Sequence, residues 1–146
     1  MSDRNFLLLS VKPRFVDLIV DGLKTVELRR VRPRVKAGCT VIIYSTSPVC
    51  SVVATCRVQG VLSDSRDRLW SAVGDQASVP YQLFDEYFKG KTIGHAISLA
   101  DVFPLESPLG LEELREKWSG FRPPQSYRYI PSDKIDIFRQ KANCSP

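Results

Sequence analysis

The β-rich runs VIIYST (41–46) and SVVATCRVQGVL (51–62) follow one another with only SPVC between them. Both are dominated by β-branched and aromatic residues, and the connection is too short to hold a crossover helix. Strict β-α-β alternation is therefore excluded, and with it a doubly wound parallel sheet. The order of elements points instead to an α+β domain with a curved, mostly antiparallel sheet and flanking helices. Closure into a small β-barrel is the expected solution, because it removes the sheet edges that such a chain would otherwise expose.

The remaining elements fit this frame. FLLLSV (6–11) reads as a short buried strand. Pro13 suits the first turn of a helix in PRFVDLIVDG, where Phe15, Leu18 and Ile19 fall at helical spacing and Gly22 supplies a stop at positive φ. TVELRR then alternates: Val26 and Leu28 should face the core, leaving Thr25, Glu27 and Arg29 on a second, polar surface. Helical segments are expected around Arg66–Val73 and Tyr81–Phe88, with strand character returning in KTIGHAISLADVF. Leu111, Leu114 and Trp118 mark one face of a further helix. RPPQSYRYI should be an extended segment passing into a short strand, followed by a helical or turn-rich piece over Ser132–Lys141. No linker or repeat divides the chain, so residues 1–146 are read as one domain.

Charge sharpens the picture. The net charge of +5 is matched by one segment, in which Lys24, Arg29, Arg30, Arg32, Arg34 and Lys36 face a single acid, Glu27. So local an excess is the footprint of a polyanionic partner. No apolar run approaches the roughly 20 residues of a membrane span, and the N-terminus has no signal-peptide pattern, so a cytoplasmic protein with no membrane partner is expected. Cys39, Cys50, Cys56 and Cys144 have no C-x-x-C spacing and are read as reduced thiols, and no metal or other cofactor is expected. The one histidine, His95, excludes a two-histidine metal site; in IGHAI it reads as a satisfied sheet residue.

LLLSVKPRFVDLIVDGLKTVELRR, followed by VKAGCTVIIYST, DEYFKGKTIGHAISL and PPQSYRYI, resembles the ASCH domains of the PUA-like superfamily. The resemblance covers most of the chain, and its most specific block is the first: S-x-K-P, the glycine turn, Lys-Thr and a strand ending in arginine. It implies a PUA-like barrel with a cleft, beside the turn after the first helix, suited to RNA or a nucleotide. Members of the family act as RNA-binding or coactivator-like modules, as ribonucleases, and as amidohydrolases that remove acyl groups from the exocyclic nitrogen of cytidine. Fold alone does not choose among these.

The leading expectation is a binding module for RNA or a modified nucleotide or nucleoside. Its cleft is lined by Lys12, Lys24, Thr25, Glu27 and Arg29, with Ser126, Tyr127 and Arg128 of the late motif closing it. Ser10 is a companion of Lys12. Tyr127 and Tyr129 share a strand face on which one ring is placed to stack on a base. The alternatives are a metal-independent amidohydrolase on N-acylated cytidine or a ribonuclease, and a coactivator-like adaptor whose protein partner the sequence does not name. As an enzyme, the chain would use Lys24 as base, with Thr25, Glu27 or Glu86 assisting; Asp85 is a second acid in the same stretch. Base chemistry at neutral pH would require lowering the lysine from its usual value of about 10.4. The deacylating relatives carry Lys-Thr-x-Thr with the second threonine as nucleophile, and here that position is Glu27, which places binding ahead of that reaction. Glu27 also reads as a recognition group for an exocyclic amino group, or as an exposed ion pair with Arg29.

Overall fold

The computed structural model describes residues 6–142. Cys144 lies outside them. Six strands, β1 (Phe6–Val11), β2 (Val26–Arg29), β3 (Thr40–Ser45), β4 (Ser51–Ser65), β5 (Ile93–Gly110) and β6 (Tyr127–Tyr129), form one sheet in the order β2-β5-β4-β3-β1-β6. All neighbours are antiparallel except β1 and β3. The expected α+β class and curved, mostly antiparallel sheet are thus observed. Register shifts between Val52 and Ala54, Thr55 and Arg57, and Val58 and Gly60 interrupt the long β4–β5 ladder; irregularities of this type bend a sheet and let it curl.

The curl forms a half-barrel rather than a ladder-closed one, with β2 and β6 as the two ends of the sheet. Side chains bridge this opening. Arg29 donates from Nη2 to Ser10 O at the end of β1 (2.9 Å), Tyr127 donates its hydroxyl to Arg32 O (3.3 Å), and the Arg34 amide donates to the Tyr129 hydroxyl (2.7 Å). The loop after β2 is therefore tied down by both tyrosines of the late motif.

Five helices pack around the sheet: α1 (Pro13–Val20), α2 (Arg66–Ala77), α3 (Tyr81–Tyr87), α4 (Leu111–Lys117) and α5 (Asp136–Ala142). α1 begins at Pro13, and the chain leaves it through Gly22 at φ 81, as its sequence requires. Leu7, Leu9, Val41, Ile43, Cys56 and Ile97 fill the inside of the curl together with Val16 and Ile19 of α1. On the opposite face Leu8, Ile42 and Val52 pack against Leu114 and Phe138. A third cluster joins Val26 and Leu28 of β2 to Leu69 and Val73 of α2, Phe84 of α3 and Phe88 just after it. The last contact leaves no room beside β5: a Cβ on Gly94 would stand 2.7 Å from Phe88 and 2.8 Å from Leu69. Gly94→Ala is accordingly expected to cost about 1–3 kcal/mol by overpacking, read as a lowered denaturant midpoint; an unchanged midpoint would show that α3 can withdraw freely.

Candidate functional site

The turn from α1 into β2 is fastened to the C-terminus of α2. The Thr25 amide donates to Gln76 O (2.9 Å), the Ser78 hydroxyl donates to Leu23 O (2.8 Å), and Lys24 donates from Nζ to Ala77 O. The last carbonyls of a helix carry partial negative charge and have no intrahelical donor, so an ammonium suits them. This contact draws Lys24 inward until it is only 2% exposed.

β2 carries the rest of the charge. Val26 and Leu28 face the α2–α3 cluster as their alternation predicts, which turns Glu27 and Arg29 to the other face. That face is not solvated: Glu27 is 4% and Arg29 9% exposed. Glu27 takes Lys24 Nζ on Oε1 at 3.4 Å and Arg29 Nη1 on Oε2 at 2.6 Å. The expectation of an exposed Glu27–Arg29 pair is thereby corrected: the two ends of one carboxylate hold two cations in a buried trio. Arg29 also donates from Nη1 to Leu28 O at 2.9 Å, while its buried Nε has no acceptor among the described residues. Burial pushes Lys24 below its ordinary value of 10.5; Glu27 opposes that shift through its charge and hydrogen bond, and Arg29 adds to it.

The trio forms the floor of a cleft of about 340 Å³. Lys12, Arg14 and Ser126 stand at its exposed rim, and Ser10, Thr46 and Gln125 add polar groups. Ser10 is clamped to the late motif, its hydroxyl donating to Pro124 O (2.7 Å) and its amide to Ser126 O (2.9 Å). The opposite wall is apolar: Phe15, Val79, Leu83, Phe84 and Tyr87. Lys24 Nζ lies 5.1 Å from the Phe15 ring centroid, and the Arg14 guanidinium lies 4.7 Å from the same ring. The arrangement offers flat apolar surface to a ring, buried donors at its floor and exposed cations at its mouth.

Lys12, Lys24, Glu27, Arg29, Ser10 and Ser126 are thus brought together as the sequence predicts. Others are not. Thr25 precedes the strand and is exposed, so it does not join Glu27 and Arg29 in the cleft. Its two backbone groups serve Gln76 and Leu99 instead, which explains why the alternation fails one residue early. Tyr127 and Tyr129 meet edge to face and pack against the inner core, and Arg128 lies 4.6 Å above the Trp118 ring, outside the cleft lining. Glu86 is exposed on α3 and outside the lining, and Asp85 pairs with Arg66. The apolar wall is what sequence reading missed. Its signal was present in Leu83 and Tyr87, one helical turn apart on a short helix, but such spacing reads equally as core.

Comparison with known proteins decides the family. The ASCH domain family model matches residues 9–123. The chain belongs to the ASCH domain family. An ASCH domain-containing ribonuclease of Zymomonas mobilis is 33% identical over 132 residues, covering 90% of this chain and 88% of that protein. The crystal structure of ASCH from Zymomonas mobilis superposes with a TM-score of 0.89 at 31% identity, covering 94% of this chain and 95% of that one. The N-terminal domain of Staphylothermus marinus McrB shares the fold, with a TM-score of 0.57 at 10% identity and 94% of each chain covered. No described helix of this ASCH protein is long and apolar enough to cross a membrane, and among the described residues no group of three or more His, Cys, Asp or Glu side chains is placed to hold a metal ion.

Proposed function

We propose that this ASCH protein binds single-stranded RNA in the cleft, in the cytoplasm, and cleaves it there with Lys24 as the base. The observation that supports this reading most is a lysine 2% exposed, lowered by burial, at the floor of a cleft large enough for one nucleotide. The similarity to a protein named as a ribonuclease points the same way.

A neutral lysine amine has two N–H groups and one lone pair. Ala77 O and Glu27 Oε1 account for the two N–H groups, so the lone pair is left for a substrate hydroxyl. In the proposed step the ribose 2′-hydroxyl gives its proton to Lys24 Nζ as its oxygen bonds to phosphorus. The P–O5′ bond breaks, O5′ takes a proton from solvent water, and the upstream fragment ends in a 2′,3′-cyclic phosphate. Arg29 remains charged beside Glu27 and stabilises the anionic phosphorane. Glu27 holds Lys24 and Arg29 in place. Lys12 and Arg14 hold the neighbouring phosphates at the rim.

The test pairs a binding titration of a single-stranded RNA oligonucleotide, at several salt concentrations, with mass analysis of products in buffer containing chelator. Binding that weakens with salt, together with a 2′,3′-cyclic product, is the expected outcome. DNA of the same sequence should bind and stay intact, since it lacks the 2′-hydroxyl. Lys12→Ala is expected to weaken RNA binding and to lower the salt slope by about 0.7, the value for one single-strand phosphate contact. An unaltered slope would remove Lys12 from the path, and the absence of RNA binding by the unaltered chain would remove the function. Acylated cytidine, incubated in parallel, tests the deacylating alternative.

A further inference from the structure

A second polar cluster lies on the inner face of the same sheet, beside the cleft, and shares Arg29 with the cleft floor. The β2–β5 register sets Arg29 opposite His95, and the β4–β5 register sets His95 opposite Ser63. Directly opposed residues share a face, so Arg29, His95 and Ser63 form one row across three strands, spanning two inter-strand steps, roughly 10 Å. Ser63 Oγ and His95 Nδ1 are 2.7 Å apart, and Arg32 donates from Nη1 to the same Oγ. Arg32 belongs to the loop held by the tyrosine hydroxyls of β6, so its approach is built into the fold.

The row is rich in donors and poor in acceptors. The charges that act on His95 are Arg32 and Lys91, both cationic, and both add to burial in lowering its pKa. Arg29, at the end of the row, is paired with Glu27 through Nη1, and its buried Nε has no acceptor among the described residues. Asp64, the nearest acid in sequence, alternates to the other face of β4 and accepts from the Ser65 amide at 2.8 Å. Two half-buried polar side chains and a guanidinium converge here, and among the described residues no carboxylate is among the charges acting on His95, an arrangement closer to a phosphate site than to a fold-stabilising network.

We propose that Arg32, Ser63 and His95 form a second subsite, which binds a phosphate of the RNA strand whose nucleotide occupies the cleft, with Arg29 linking the two. This rests on the RNA reading above. The hydrogen-bond logic is specific. With His95 neutral, the Ser63 hydroxyl donates to Nδ1. With His95 protonated, Nδ1–H donates to Ser63 Oγ, and the hydroxyl proton is released toward a phosphate oxygen. The Arg32 guanidinium and the His95 Nε2–H complete the donors. Phosphate and the histidine proton therefore bind together.

His95 is the sole histidine of the chain, so its ring resonances in untagged protein report the site without ambiguity. The experiment titrates them with pH in chloride, in inorganic phosphate at matched ionic strength, and with a non-cleavable RNA oligonucleotide carrying a 2′-O-methyl group. Phosphate and RNA should each raise the His95 pKa by about half a unit or more, because an anion favours the charged ring. In Arg32→Gln the phosphate-induced shift should disappear, while cleft occupancy by RNA persists with several-fold weaker affinity. Ser63→Ala should reduce the shift. RNA that binds, by fluorescence anisotropy, without moving His95 would overturn the subsite and leave the RNA function standing. A phosphate-induced shift in a chain that binds no RNA would instead keep the anion site and overturn the RNA reading. A shift of equal size in Arg32→Gln would also overturn the proposal.

Discussion

Glu27→Ala should be the most destabilising single change in the site, costing about 3–5 kcal/mol, because it strips the shared anion from two buried cations. Lys24 and Arg29 would face each other at 2% and 9% exposure with no carboxylate between them. Their hydrogen bonds to neutral carbonyls would survive, namely Lys24 to Ala77 O and Arg29 to Leu28 O and Ser10 O. They cannot offset the charge, since carbonyl dipoles replace only part of an ion's hydration. For a chain of this size the loss corresponds to a fall in Tm of roughly 10–16 °C. Glu27→Gln keeps the shape and removes the charge, so it should fall between the native chain and Glu27→Ala. Thermal unfolding of both variants checks this. A loss below about 1 kcal/mol for Glu27→Ala would mean that solvent enters the cleft floor and screens the trio as it would a surface pair.

The same trio shows what could be read from sequence and what could not. Val26 and Leu28 announce the direction of β2 by simple alternation, and that alternation alone places Glu27 and Arg29 together. The curved sheet followed from the absence of a helix between the third and fourth strands. Burial of the polar face did not follow. It depends on β5 lying against β2 and on Ala77, far away in sequence, presenting a helix-terminal carbonyl to Lys24. Alternation predicts a face and says nothing of what covers it. Thr25 was misassigned for a related reason, since the strand begins one residue later, where Thr25 O is still needed by Leu99 N. The late motif was legible as a closing element, but its tyrosines close the sheet edge rather than the cleft. Lys12 and Ser126, by contrast, needed only the helix start and the extended PPQS segment to be placed.

Lys24→Met separates chemistry from folding, and RNA cleavage in this variant should fall by at least about 100-fold, the lower range for loss of a positioned base. Methionine fills a similar volume against Phe15 and has no charge to bury. It leaves Glu27 with Arg29 at 2.6 Å, so one cation still answers one anion. Stability near neutral pH should therefore change by less than in Glu27→Ala, and RNA should still bind through Lys12, Arg14 and Arg29. The pH dependence of folding provides an independent check. Because burial lowers the folded-state pKa of Lys24 below 10.5, the unfolded chain holds more protons than the folded one between the two values. Stability from this group accordingly rises with pH through that alkaline window and is lower where the buried amine is charged. Lys24→Met should abolish that rise, seen as a flatter plot of unfolding free energy against pH up to about 10.4. Cleavage that survives in Lys24→Met with a native pH profile would assign the base elsewhere, and the trio would then be a device for holding β2 against α2 alone.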